Sequence, residues 1–95
     1  MKIIAIATRK ADAPPEAFAP HLESEANTAL SLYRDETVRE IYSRADGKGA
    51  ILVMECRDEA HALQVLQTLP LARVGLLSFD IYGAKPYRGI VQHVK

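Results

Sequence analysis

The residues best suited to chemistry are a carboxylate and an imidazole one helical turn apart. Glu25 and His21 fall within residues 16–34, a segment with helical periodicity. At about 100° per residue, Glu25 lies inside the apolar stripe of this helix, and His21 lies at the edge of the stripe within side-chain reach. Partial removal from water makes a carboxylate a better general base. The alternative is a structural carboxylate that reaches the rim of the helix or pairs with His21 or an arginine.

Three further side chains are candidates for contact with a substrate. Tyr42 offers a phenolic hydroxyl, and Arg39 on the same predicted strand could hold a carboxylate in its guanidinium fork. Ser78 lies on the last predicted strand and could face a cavity or the solvent. The competing interpretations are an aromatic ring packed on the sheet for Tyr42 and a solvated charge for Arg39.

The sequence gives little support to metal, thiol, nucleic-acid or membrane chemistry. Its histidines lie on separate predicted elements without HxH or HExxH spacing, and Cys56 is the single cysteine. Lys+Arg and Asp+Glu balance at 12 each, which is unlike the basic footprint of a nucleic-acid-binding protein. The apolar runs are far shorter than the roughly 20 residues that span a bilayer. We therefore expect a cytoplasmic protein without a metal, a cofactor, or a nucleic-acid or membrane partner.

Runs of β-branched residues and helical periodicities predict the elements that position these side chains. Strands are predicted at residues 2–8, 37–44, 50–56 and 76–82, and helices at residues 16–34 and 59–69. Pro20 should kink the first helix, while Asp58 should cap the second and Pro70 should stop it. This order predicts an α+β fold of the ferredoxin-like βαββαβ type, with an antiparallel sheet and both helices on one face.

The length of 95 residues allows one domain, predicted at residues 1–86. Residues 87–95 form a C-terminal tail, where GIVQHV is expected to form a short strand at an oligomer interface. The third predicted strand, AILVMEC, is apolar on both faces, although the helices cover only one face of the sheet. A second copy of the chain is the simplest cover for the other face, and the zero net charge permits this association. A homodimer or a larger homo-oligomer is therefore expected.

Several short motifs resemble the muconolactone isomerase family. They are a Pro at the start of the first helix (Pro15), TxR at the second strand (Thr37-Val38-Arg39), a turn Gly (Gly47), Glu59-Ala60, and QxLPL at the end of the second helix (Gln67 to Leu71). The likeness extends from Pro15 to Pro86. It implies a dimeric α+β barrel and a cofactor-free isomerase of aromatic catabolism, which shifts a proton within a small unsaturated lactone that carries a carboxylate.

The resemblance also implies roles for particular residues. The family carries a helical carboxylate at the position of Glu25, which becomes the general base, assisted by His21 and Tyr42. Arg39 would bind the substrate carboxylate. Ser78 is kept as a candidate substrate contact from its place on the last predicted strand, and not from the resemblance. The pocket-facing positions of the first strand are Ile4, Ile6 and Thr8, so the pocket is expected to be more apolar than is typical of the family.

Two alternative functions stay open at this point. One is a small cofactor-free monooxygenase of the same barrel superfamily, acting on an apolar aromatic compound. The other is a non-catalytic protein that binds a small molecule or serves in assembly. A cavity smaller than about 300 Å³ beside Glu25 would favour the non-catalytic function.

Overall fold

Four strands form one antiparallel sheet in the computed structural model, which describes residues 1–93. The elements in chain order are β1 (Lys2–Arg9), α1 (Pro15–Phe18), a 3-10 turn (Ala19–His21), α2 (Leu22–Arg34), β2 (Val38–Ser43), β3 (Gly49–Glu55), α3 (Glu59–Leu66), α4 (Pro70–Arg73), β4 (Leu77–Ala84) and α5 (Arg88–His93). The strand order across the sheet is β2-β3-β1-β4. This architecture confirms the predicted α+β fold.

Side-chain alternation along β1 and β3 divides the sheet into two faces. Ile3 and Ala5 of β1 lie opposite Met54 and Leu52 of β3, and all four side chains are buried beneath the helices. Ala62, Leu66 and Leu69, from α3 and the turn after it, complete this core, with Ala29 and Leu32 of α2 packed at its edge. The core therefore lies on the side of the sheet that we call the helix face.

The opposite side of the sheet, which we call the free face, is also apolar. Ile4 lies opposite Val53, and Ile6 lies opposite Ile51, and these four side chains are only half-buried. Apolar side chains on both faces of one strand are unusual for an antiparallel sheet that helices cover on one side. The pattern predicted for the third strand is therefore confirmed.

Prolines divide the helical segments. Pro15 occupies the first turn of α1, and Pro20 lies in the 3-10 turn that separates α1 from α2. A proline inside a helix removes a backbone donor and crowds the preceding turn, so one continuous helix over residues 16–34 does not form. The interruption expected at Pro20 is confirmed.

The region after β3 differs in part from the prediction. Asp58 caps α3 as expected, because its Oδ1 accepts a hydrogen bond from the His61 backbone N–H at 2.8 Å. However, α3 ends at Leu66, and Pro70 begins the short helix α4 instead of stopping α3. Proline suits a first helical turn because the missing N–H would have no helical partner there.

The C-terminal tail is the clearest correction to the predicted elements. Residues Arg88–His93 form helix α5, so the prediction of a strand in this segment is wrong. A strand needs a neighbouring strand for its backbone hydrogen bonds, whereas a helix satisfies them within the segment. Val94, the last residue of the predicted strand, lies outside the described residues. No helix within residues 1–93 is long and apolar enough to cross a membrane.

Candidate small-molecule site

Glu25 joins two helices that are distant in the sequence. Its Oε1 accepts a hydrogen bond from the Leu71 backbone N–H at 2.9 Å, in the first turn of α4. The first N–H groups of a helix lack helical partners, and Leu69, at the N-cap position of α4, supplies no side-chain cap. The half-buried Glu25 carboxylate of α2 therefore caps α4, a structural role that differs from the rim position and the pairing with His21 or an arginine that the sequence left open.

A cavity of about 270 Å³ lies between α2 and the helix face, and we call it the Glu25 cavity. It is lined by Arg9, Leu22, Glu25, Ala26, Ala29, Ile41, Ser43, Gly49, Ala50, Leu71 and Leu77. Among the described residues that line it, Glu25 is the only carboxylate and Arg9 the only basic side chain. Taken alone, this cavity is smaller than about 300 Å³, the size below which a non-catalytic function is favoured.

A larger cavity of about 610 Å³ adjoins the Glu25 cavity. It is lined by Thr8, Arg9, Lys10, Ala11, Ala13, Pro15, Phe18, Leu22, Gly47 and Lys48. Arg9 and Leu22 line both cavities, so the two spaces are neighbours at one end of the sheet. We call the larger space the cation-lined cavity, because the three charged side chains among its described lining residues are all basic. Together the two spaces are large enough for a small-molecule ligand.

The fold brings the basic residues together through its antiparallel register. Thr8 at the end of β1 pairs with Gly49 at the start of β3, which places Arg9 beside the β2–β3 turn. The Arg9 backbone N–H donates to the Lys48 carbonyl oxygen at 2.8 Å. The Arg9 guanidinium carbon also lies 5.3 Å from the centroid of the Phe18 ring, within the range of a cation–π contact.

Arg9, Lys48 and Phe18 were not among the residues predicted for the site. In the sequence, Arg9 looks like a strand-end charge and Lys48 like a turn residue. The signal that could have found them is topological. In a βαββ order with β1 and β3 antiparallel, the end of β1 must lie beside the β2–β3 turn.

Most of the other predicted site residues lie away from Glu25. Ile4 and Ile6 are on the free face, opposite Tyr82 and Asp80 of β4. By the same register, Ser78 pairs with Thr8 and Tyr42 pairs with Ile51, which also places these two side chains on the free face. The sheet thus separates four of the predicted residues, Ile4, Ile6, Tyr42 and Ser78, from the Glu25 cavity.

Thr8 lies at the margin between the two faces. Its hydroxyl accepts a hydrogen bond from Arg44 Nη1 at 2.9 Å, and the residue lines the cation-lined cavity. His21 lies in the 3-10 turn before α2, where its carbonyl oxygen accepts from the Ser24 hydroxyl at 3.1 Å. Among the described residues, no hydrogen bond joins the side chains of His21 and Glu25. Thr8 is therefore the one predicted substrate contact that lines a cavity adjoining Glu25.

Tyr42 and Arg39 are engaged in local contacts at the far edge of the sheet. The Tyr42 hydroxyl donates to Glu40 Oε1 at 2.6 Å, and this hydrogen bond to a carboxylate raises the pKa of Tyr42. Arg39 follows Val38 at a bulge in β2, and its Nε donates to the Glu36 carbonyl oxygen at 2.8 Å. Neither side chain lines the Glu25 cavity or the cation-lined cavity.

The remaining candidate groups were a metal cluster and the single thiol. Within residues 1–93, no three His, Cys, Asp or Glu side chains come close enough to hold a metal ion. Cys56 is buried, and this burial raises the pKa of its thiol. A raised pKa keeps the thiol protonated and weakens it as a nucleophile.

Solved structures of the same fold include the following two. One is muconolactone isomerase, with a TM-score of 0.74 and 19% sequence identity over 93% of this chain and 92% of that chain. The other is 5-chloro-2-hydroxyhydroquinone dehydrochlorinase from Burkholderia phenoliruptrix AC1100 in complex with 2,5-dihydroxybenzoquinone, with a TM-score of 0.73 and 11% identity over 94% and 98%. These likenesses establish the fold. No protein-family model matches the sequence, and no curated protein matches it.

Proposed function

We propose that this protein is a cofactor-independent isomerase that moves a proton within a small unsaturated lactone, or a related compound of aromatic catabolism. Glu25 is the general base. The observation that carries the proposal is the position of Glu25. It is the only carboxylate among the described residues of a cavity that adjoins a cation-lined space of about 610 Å³. A base, an apolar wall and nearby positive charge are what a proton shift next to a carbonyl group requires.

The reaction is balanced without an oxidant or another co-reactant. Glu25 removes a proton from the acidic carbon of the ring, and the electron pair of the broken C–H bond moves into a dienolate. The positive charge of Arg9, whose side chain lines both cavities, lowers the energy of the dienolate through the local field without a direct contact to its oxygen. The proton then returns to a different carbon, which moves the double bond and regenerates the carboxylate.

The Leu71 N–H that contacts Glu25 supports this role for the carboxylate. Its hydrogen bond at 2.9 Å fixes Oε1 and so holds the carboxylate in one position beside the cavity. The names of the two structural neighbours agree with the proposed class. One is an isomerase of muconolactone and the other a dehydrochlorinase of a chlorinated hydroxyhydroquinone.

The main experiment separates the base from the helix cap. The purified protein is mixed with muconolactone and related unsaturated lactones in D2O, and double-bond migration and deuterium uptake are followed by NMR. The Glu25→Gln variant keeps a side-chain oxygen that can accept the hydrogen bond from the Leu71 N–H, but its amide cannot act as a base. We expect it to lose about 10²-fold to 10⁴-fold in rate. Glu23→Gln, an exposed position on the same helix, is the matched control.

Full turnover by Glu25→Gln would exclude Glu25 as the base. Consumption of dioxygen with a phenol or quinol in the same assay would indicate the monooxygenase alternative instead. Binding of lactones without turnover in the wild type would indicate a binding protein, which is the function that the small volume of the Glu25 cavity favours.

We also propose that the chain works as a homodimer or a larger homo-oligomer that associates through the free face. The half-buried Ile4, Ile6, Ile51 and Val53 form the centre of this face, and the aromatic rings of Tyr42 and Tyr82 flank them at 54% and 59% exposure. An apolar patch with aromatic edges is characteristic of a protein interface. In this arrangement, Ile4, Ile6 and Tyr42 serve the interface instead of the Glu25 cavity.

A further inference from the structure

The cation-lined cavity differs in charge from the rest of the protein. The chain has a net charge of zero, yet the charged side chains that line this cavity are Arg9, Lys10 and Lys48. The two ion pairs found among the described residues, at the N-terminal amine and at Arg44, involve none of these three cations. A concave surface with one sign of charge raises the local concentration of ligands of the opposite sign.

Nearby carboxylates leave this charge in place. Asp46, in the adjacent turn, pairs with Arg44 Nη2 through Oδ2 at 2.6 Å and accepts the Lys48 backbone N–H through Oδ1 at 2.9 Å. Asp12 and Glu16 belong to the β1–α1 loop and to α1, but neither lines the cavity. The cavity therefore presents a positive field, which selects an anion.

The walls of the cavity select an anion that carries an apolar ring. Phe18 is buried beneath the cavity, and Leu22 is 47% exposed at its side. The Arg9 guanidinium carbon lies 5.3 Å from the centroid of the Phe18 ring, and this contact restrains a side chain whose N–H fork matches the geometry of a carboxylate. A flat ring with one carboxylate can pack against Phe18 and Leu22 while its anionic group meets the guanidinium.

The basic residues stand on an ordered backbone. The Arg9 N–H binds the Lys48 carbonyl oxygen at 2.8 Å, and the Lys10 N–H binds the Leu76 carbonyl oxygen at 3.0 Å. These bonds tie the end of β1 to the β2–β3 turn on one side and to the start of β4 on the other. A site held in this way loses less entropy when a ligand binds.

We propose that the cation-lined cavity is an anchoring site for the carboxylate of a small, planar, ring-bearing monocarboxylate, held between Arg9 and Lys48. The orientation of the ligand rests on the proposed function. Since Arg9 also lines the Glu25 cavity, an anion anchored there directs the remainder of its ring toward Glu25, whose own charge repels the carboxylate end. The site therefore determines substrate specificity, and it replaces Arg39 as the carboxylate-binding group.

The test uses benzoate and its neutral analogue benzamide as probes, with binding followed by NMR titration of the ¹⁵N-labelled protein. We expect benzoate to shift the amide signals of Arg9, Gly47 and Lys48, and to bind about tenfold more tightly than benzamide. Arg9→Gln and Lys48→Gln should each weaken benzoate binding about tenfold, and Arg9→Lys should have an intermediate effect because it keeps the charge without the fork. Lys85→Gln, at an exposed lysine outside the cavity lining, is the control and should change nothing.

Equal binding of benzoate and benzamide, or unchanged binding by both glutamine variants, would overturn the anchoring site. The dispersion of each variant's amide spectrum reports folding, and Lys48→Gln tests the site without disturbing the contact between Arg9 and Phe18. The Glu25→Gln variant separates the two proposals, because it should lower the turnover rate about 10²-fold to 10⁴-fold while it retains or strengthens benzoate binding. If the wild-type protein binds benzoate no more tightly than benzamide, the anchoring site is overturned but the proposed function is not. If Glu25→Gln keeps full turnover, the proposed function is overturned but the anchoring site is not.

Discussion

Glu25 caps helix α4 through its hydrogen bond to Leu71, and the same carboxylate is the proposed general base. Its angular position on the helix predicted partial burial, and the side chain is half-buried. Its hydrogen bond to Leu71 could not be predicted, because the partner lies 46 residues further along the chain and its N–H depends on where α4 begins. Periodicity reports which way a residue faces on its own helix, but not which element meets it there.

The contact between Glu25 and Leu71 predicts a difference between two substitutions. Glu25→Ala leaves the α4 N–H without its partner and should lower the free energy of unfolding by about 1 kcal/mol. Glu25→Gln retains an acceptor oxygen and should lose less. Denaturant unfolding followed by circular dichroism measures both, with Glu23→Ala as the exposed control. Equal losses in the alanine and glutamine variants would contradict the capping role.

Asp46 predicts a dependence of stability on pH. The Lys48 backbone N–H and the Arg44 guanidinium both favour its ionised form, and they lower the pKa of Asp46. A carboxyl whose folded pKa is depressed stabilises the protein above its unfolded pKa of about 3.9 and loses that contribution as the pH falls through the lower folded value. Asp46→Asn keeps an acceptor for Lys48 but removes the charge.

Thermal unfolding of wild type and Asp46→Asn at a series of pH values measures this effect. The variant should melt at a lower temperature near neutral pH, and the gap should close as the pH falls below the unfolded value. A gap that stays constant down to strongly acidic pH would show that the charge of Asp46 does not contribute.

The elements themselves were largely predictable, and the exceptions have physical causes. Runs of β-branched and aromatic residues bounded by turn residues located all four strands of the sheet to within a few residues. The sequence did not predict α4, because a proline was taken as the end of one helix when it begins another. The site was harder to predict, since Arg9 and Lys48 become neighbours only through the pairing of β1 with β3.

The β2–β3 hairpin gives a prediction at the scale of the element. A Cβ on Gly49 would lie 1.9 Å from the Ala7 carbonyl oxygen, and this backbone atom cannot move without disturbing the pairing of β1 with β3. We expect Gly49→Ala to lower the free energy of unfolding by about 3 kcal/mol. At Gly47, φ is 74° and a Cβ meets nothing within 4 Å.

Gly47→Ala is therefore the matched control for the same turn. It adds only the backbone strain of a positive φ, which costs about 1–2 kcal/mol. Urea unfolding of both variants gives the comparison. If Gly47→Ala proved as damaging as Gly49→Ala, the close approach of β1 to Gly49 would not be the cause.

The whole molecule is more extended than its length suggests. Its radius of gyration is 14.9 Å, whereas a compact domain of this length is expected at about 12 Å. Tyr87 and Ile90, which follow β4, are 74% and 63% exposed, so the segment that contains them packs little against the body of the chain. These exposed side chains and the apolar free face together form a large apolar surface. We propose that a second copy of the chain covers it.

Association through the free face predicts the effect of placing a charge at its centre or edge. Ile51→Lys and Tyr82→Lys each introduce a cation that a second free face would bury without a partner, so both variants should shift toward monomer. Light scattering coupled to size-exclusion chromatography measures the mass, and circular dichroism verifies folding. Leu30→Lys, at an exposed position on α2, is the control and should leave the assembly intact. A wild-type monomer, or folded lysine variants that keep the wild-type mass, would show that copies do not meet through the free face.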